Sequence, residues 1–277
     1  MTTKQILLVL SANAPADSAT SLAAALAEHG GARVEAVCMF HEPEPGVADS
    51  FAIGRAGVAD VLDHVEADIR AQTASARAYF DRTVAGKGLS DGWSLGEVDA
   101  WQNALDGPSR LVDLIVIARA ESDHGFRGVT AGLVLQSGAP CLVAPLSPTK
   151  IPFHKVALAW NGSRESARAL RDGLDFLRAA ASVVVIVAAE DGTSSIDALQ
   201  TDGLIRHLAR HGVQADLVRA AVGHRGAGDA ILRECEAMGA DLLIAGAYGH
   251  SRAAETILGG ATQRFLSRAS LPVLLSH

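Results

Sequence analysis

DLLIAGAYGHSRAAETILGGATQRFLSRASLPVLLSH, residues 241–277, is the stretch that decides the fold. It opens on an aliphatic run, breaks at Gly246 and Gly249, and passes through Gly259 and Gly260 into ATQRFLSRA, a segment of helical character. It closes on a second aliphatic run, LPVLLSH. The order is strand, glycine-punctuated loop, helix, strand. Glycine admits positive φ and lets a ligand or another stretch of backbone approach where a Cβ would stand in the way. Backbone amides around Gly259, Gly260, Ala261 and Thr262 open the helix, and a helix N-terminus attracts anions. The Thr262 hydroxyl adds a side-chain donor in that first turn. Two readings follow: a cradle for the phosphates of a nucleotide, or a tight turn between two strands.

The pattern occurs twice in the chain. DLIVIAR (113–119) and APCLVAP (139–145) form the corresponding strand pair of the first half. KQILLVLSAN (4–13) and HKVALAWNGS (154–163) are short aliphatic runs ending in small polar residues. Alanine-rich segments of helical period follow each, then the strands ARVEAVCMF (32–40) and ASVVVIVAA (181–189). Val58, Val61, Leu62, Val65 and Ile69 keep a three-to-four spacing that predicts the longest helix near 57–86. Strands apolar on both faces, alternating with helices, define a parallel sheet covered on each side. The fold expected is α/β: two tandem domains, each a five-stranded parallel sheet with helices on both faces. The boundaries expected are 1–147, a linker at 148–154 inside the proline-bearing PLSPTKIPFHK, and 155–277. In such sheets ligands sit beyond the carboxyl ends of the strands where strand order reverses. That places any site after VALAW and after DLLIA.

Bulk properties narrow the function. An apolar fraction of 49% against 20% charged residues excludes disorder as the main state. The longest aliphatic run, Val183 to Ala189, is far shorter than the ~20 residues a membrane helix needs, and the N-terminal MTTKQILLVL reads as a first strand, not a leader. The three cysteines, Cys38, Cys141 and Cys235, are widely spaced and lack a CxxC pattern, as expected of buried thiols in the cytoplasm. The net charge of −7 lies in residues 1–150, with 18 acidic and 11 basic side chains; the remainder holds 13 of each. An acidic first half argues against nucleic acid, and the balanced second half is the better home for an anion.

GxxxxGK[ST], GxGxxG and GxSxG are absent as patterns, GHRGAG (223–228) having its glycines in the wrong order. His207 and His211 share a helix face, as metal ligands can, but no third ligand is close in sequence; His41, Glu42 and Glu44 form a small cluster after the second strand. No catalytic residue and no metal ligand is assigned. Asp229 is read as a helix cap, and Arg252, Arg264, His250 and Ser251 as neighbours of the loop. Trp93, Trp101 and Trp160 are read as core or interface.

The glycine loop resembles that of the universal stress protein family, whose nucleotide-binding members carry G-x2-G-x9-G-[ST] after the fourth strand. Gly246, Gly249 and Gly259 match, whereas position 260 is Gly. The duplication is similar to a tandem member of two fused domains of this adenine nucleotide alpha hydrolase-like fold. The resemblance implies that Asn161 stands where the family places an aspartate against the adenosine. It also implies that Val187 and Ala245 line the adenine pocket, that Gly246 and Gly249 pass the ribose and phosphates, and that Gly259, Gly260, Ala261 and Thr262 hold the phosphates. Asparagine keeps an acceptor there but loses the charge. The first half has IARAESDHGFRG and SANAP at the corresponding places, so no nucleotide is expected in it.

The function implied is that of a cytoplasmic stress-response protein binding ATP or a related adenine nucleotide, with Mg, in its C-terminal domain as a sensor or regulator. Weak ATP hydrolysis stays open. The alternative is an interaction or scaffold module without nucleotide, working through its dimer surfaces. The expected partners are an adenine nucleotide and proteins that the sequence does not identify, with no nucleic acid and no membrane. The two halves are expected to form an intramolecular pseudo-dimer, their last strands meeting across the two-fold, with a further homodimer left open.

Overall fold

Each strand of the aliphatic repeat sends alternate side chains to opposite faces, and both faces are buried. In β1 (Gln5–Ser11), Ile6, Leu8 and Leu10 belong to one core layer while Leu7 and Val9 belong to the other. This computed structural model describes residues 3–42, 55–120, 122–189, 198–249 and 260–277.

The first half runs β1, α1 (Asp17–Gly30), β2 (Arg33–Phe40), α2 (Arg55–Thr83), β3 (Ser90–Glu97), α3 (Trp101–Ser109), β4 (Leu114–Ile117), α4 (His124–Gln136) and β5 (Cys141–Val143). The second runs β6 (Lys155–Ala159), α5 (Arg164–Asp172), α6 (Leu174–Ala179), β7 (Ser182–Ala189), α7 (Ala198–Arg210), β8 (Ala215–Ala221), α8 (Ala227–Met238), β9 (Leu242–Gly246), α9 (Gly260–Arg268) and β10 (Val273–Ser276). The long helix expected near 57–86 is α2. Its last turns press Ala76 and Phe80 into the core against Leu22 and Leu26 of α1.

The strands form one ten-stranded sheet in the order β3-β2-β1-β4-β5-β10-β9-β6-β7-β8. Every neighbouring pair is parallel except β5 and β10, which run antiparallel with Leu142 opposite Leu274. The expected pair of five-stranded sheets is therefore a single sheet joined edge to edge, and the last strands meet as the repeat implies. An aliphatic edge left open would recruit another chain; here each half closes the other's edge. One face carries α1, α2, α5, α6 and α7, the other α3, α4, α8 and α9, as the membership of the two core layers shows.

In each half the chain builds outward from its first strand and then crosses back to its fourth. The reversal opens a crevice between β1 and β4, and another between β6 and β9, at the carboxyl ends. Among the described residues no helix is long and apolar enough to cross a membrane.

Candidate functional site

The crevice of the second half holds a cavity of about 520 Å³, within the usual range for a small-molecule site. Its floor is made by three alanines at strand ends. Ala159 of β6 and Ala245 of β9 stand opposite each other in register, and Ala188 of β7 lies beside them. All three point to the α8 and α9 face. The first half shows what these small residues do. By the same registers, Val9, Met39 and Ile117 occupy the matching places in β1, β2 and β4, and each is fully buried. Large side chains fill the space there; alanines leave it open.

The walls come from helix starts. Ile231 of α8 and Phe265 of α9 supply apolar surface, while Gly226, Ala227 and Ala261 bring backbone close. Gly226 caps α8 at φ 86°, a conformation that favours glycine. GHRGAG, which does not fit a nucleotide fingerprint by spacing, thus contributes to the site through geometry. On the α5 side stand Trp160, Asn161 and Ser166. The lining is mostly apolar with a few convergent polar groups, the composition that suits a flat heterocycle.

The expected site residues divide into three groups. Asn161, Ala245, Gly246 and Ala261 line the cavity. Asn161 spends its Oδ1 locally, accepting the Ser163 N–H at 3.1 Å in a turn that leads into α5, so its amide donors are what it presents to a ligand. Val187 does not line the cavity: it faces the opposite core layer with Val183 and Val185, and the lining position on that strand is Ala188. Strand alternation makes a one-residue difference a change of face. Thr262 is buried, and its hydroxyl accepts the Tyr248 N–H at 3.2 Å; it ties the loop to α9. Gly259, with Glu44, His250, Ser251 and Arg252, lies outside the described residues.

Gly246 and Gly249 have a packing role independent of any ligand. A Cβ on Gly246 would stand 2.5 Å from the Ser166 nitrogen and 2.6 Å from the Glu165 carbonyl carbon. On Gly249 it would meet the Glu165 Oε2 at 2.8 Å. The loop presses against the first turn of α5, where Ser163 caps the helix by accepting the Ser166 N–H. Burial opposes the charge on Glu165, but hydrogen bonds from Arg164 and Ser163 outweigh it and hold the carboxyl below its ordinary value. Gly260 differs: among the described residues nothing lies within 4 Å of where its Cβ would be.

Asp229 does not cap α8; Gly226 holds that place, and Asp229 pairs with Arg264 at 3.0 Å. His207 and His211 meet ring to ring at 4.7 Å, and His211 Nδ1 is hydrogen-bonded to Arg178. Among the described residues no group of three or more metal-ligating side chains assembles. In the first half Asp123 takes hydrogen bonds from Ser11, His41 and the Phe126 N–H, and with Asn13 and His41 it lines a cavity of about 390 Å³.

These features define an α/β protein of two edge-joined halves, the second of which carries a small-molecule cavity at its strand-order switch. Comparison with known proteins agrees. Residues 152–277 match the sequence model of the universal stress protein family. A universal stress protein of Synechocystis sp. is 26% identical over 226 residues, covering 77% of this chain and 75% of that protein. A universal stress protein of Archaeoglobus fulgidus superposes with a TM-score of 0.60 at 14% identity, covering 98% of this chain and 95% of the other. A structure described as a putative universal stress protein of Pseudomonas aeruginosa does so at 0.57 and 13%, covering 99% and 93%. At those identities the structures speak for the fold alone, and they do so over both halves. The match to the universal stress protein family model thus lies in the second half of the chain.

Proposed function

We propose that the C-terminal half binds ATP or a related adenine nucleotide in the alanine-floored cavity, and that the protein acts as a cytoplasmic nucleotide-responsive regulator in the stress response. The observation that carries this reading is the contrast between Ala159, Ala188 and Ala245 and their fully buried counterparts Val9, Met39 and Ile117. The fold is built twice, and the second half keeps alanines at three positions where the first carries large side chains. The adenine ring would lie over the alanines between Ile231 and Phe265, with Asn161 and Ser166 offering polar contacts at its edge. Ala261 and Gly260 would then place the first amides of α9 toward the phosphates. Mg would enter as the counter-ion of the phosphate chain, and no protein ligand for it is assigned.

The test is thermal unfolding of the nucleotide-stripped chain with and without saturating ATP. A ligand that binds only the native state stabilises by about 2.7 kcal/mol at a hundredfold excess over Kd. A rise in Tm that grows with ATP concentration supports the reading; a Tm independent of adenosine, AMP, ADP and ATP counts against it.

A second reading rests on a specific observation. The contacts of Gly246 and Gly249 with Glu165 and Ser166 give two of the three motif glycines a structural reason to be there without nucleotide. On that reading the protein is an interaction module and the cavity a remnant of the fold.

A further inference from the structure

Next to the alanine-floored cavity lies a second one of about 480 Å³. The two share Gly226, Ala227 and Ala261, so they are continuous across the first turns of α8 and α9. Their characters differ. The first is mostly apolar; the charged side chains lining the second are Arg225 and Arg264. The helices approach closely here because position 228 is glycine, whose Cβ would stand 2.8 Å from that of Arg264 and 2.9 Å from the Ala261 Cα. Asp229 engages Arg264 through Nε at 3.0 Å and steadies the guanidinium; no other partner of that group is found among the described residues. Arg225 is exposed beside it, and Gly260 adds open space to the same cleft.

We propose that this cleft is the subsite for the distal phosphates of the nucleotide, with Arg225 and Arg264 as the residues that make the protein prefer a di- or triphosphate to a monophosphate. The inference rests on the nucleotide reading above and goes beyond it in assigning direction and selectivity. Direction follows from charge. On the α5 side of the loop the Glu165 carboxylate lies against Gly249 and is paired with Arg164, so that wall offers an anion no net positive charge. On the α8 and α9 side two guanidinium groups stand against the one Asp229 carboxylate, and the excess positive charge attracts an anion. A phosphate chain leaving the first cavity past Ala261 is drawn toward the guanidinium wall. Each terminal phosphate oxygen taken up by a guanidinium forms a charge-assisted bond, stronger than a neutral one and sensitive to salt.

The experiment is calorimetric titration of the full chain with adenosine, AMP, ADP and ATP at low and high salt, repeated on Arg225→Gln and Arg264→Gln. The wild-type chain is expected to bind ATP about tenfold more tightly than AMP, a difference of about 1.4 kcal/mol, and to lose most of that margin at high salt. In each variant the ATP-to-AMP ratio should fall to about threefold, as one of two charge-assisted contacts is removed. A wild-type chain that binds adenosine and AMP as tightly as ATP overturns the phosphate subsite and leaves the nucleotide reading standing. So does a ratio unchanged in both variants. Failure of all four ligands to bind overturns the nucleotide reading and this inference with it. Because the wild-type ratio and its salt dependence are read without any substitution, a variant that folds poorly does not leave the outcome open.

Discussion

The backbone N–H of Tyr248 donates to the buried hydroxyl of Thr262 across 3.2 Å, joining the loop after β9 to the first turn of α9. Tyr248 sits at φ 62°, a left-handed conformation that costs a non-glycine residue free energy and persists only when its surroundings hold it. Burial pushes its phenol up to about 12, so the side chain stays neutral. Thr262 is thus a positioning residue for the loop. Thr262→Val keeps the shape and removes the acceptor, leaving a partly buried N–H unpaired. It is expected to destabilise the chain by about 1–2 kcal/mol. Urea unfolding measures this, and hydrogen exchange should quicken at Tyr248; unchanged exchange there would contradict the assignment.

Gly246→Ala asks the first turn of α5 to move, because the new Cβ would lie 2.5 Å from backbone. A loss of about 1–3 kcal/mol is expected, the usual cost of overpacking. Gly260→Ser meets no such obstacle and restores the hydroxyl missing from the G-x2-G-x9-G-[ST] pattern. It is expected to leave Tm unchanged or slightly raised, serine being a better helix residue than glycine, and to strengthen ATP binding. Measuring both variants for stability separates the packing glycine from the open one. Equal losses would contradict the distinction.

The hydrogen bonds that hold Asp123 in the first half predict a pH dependence. Burial opposes the charge on Asp123, but hydrogen bonds from Phe126 N–H, His41 and Ser11 outweigh it and hold the carboxyl below its ordinary value. A group whose folded pKa is depressed contributes stability above its unfolded value, about 3.9 for aspartate, and loses it as pH falls through the folded one. Asp123 also caps α4. Asp123→Asn is therefore expected to cost about 1–2 kcal/mol at pH 7, with the gap from wild type narrowing as the pH falls below that range. A gap that is constant with pH would contradict the charged cap.

Cys38, Cys141 and Cys235 are buried and unpaired, and burial raises each thiol to about 12. The thiolate is the reactive form. A thiol reagent at pH 8 is expected to leave the native chain unmodified and to label all three cysteines once denaturant is added. Rapid labelling of any one in the native state would show that its surroundings open.

Much of the architecture was legible because the interior strands are aliphatic on both faces. β1, β2, β4 and β5 and their repeats stand out as unbroken runs, and the α2 stripe of Val58, Val61 and Leu62 marks a helix. The edge strands β3 and β8, SDGWSLGE and ADLVRAA, do not stand out. Partly exposed, they carry the polar residues that an aliphatic reading passes over. The same limit applies at the site. Gly246 and Asn161 could be placed through the family resemblance, but Val187 and Ala188 differ only in parity along β7, and register is a property of the assembled sheet. The alanine floor was hidden for a different reason: Ala159, Ala188 and Ala245 acquire meaning only beside Val9, Met39 and Ile117. Gly226 and Ala227 reach the cavity through the packing of α8 on α9, which no local pattern encodes.

The most direct test of the central claim is calorimetric titration of Mg–ATP into the wild-type chain and into Ala245→Ile, which gives the second half the residue that Ile117 supplies in the first. The account predicts one binding site per chain in the wild type and no detectable heat in the variant, with the variant still folded by Tm. Undiminished binding by Ala245→Ile, or no binding by the wild type at millimolar ATP, would contradict it.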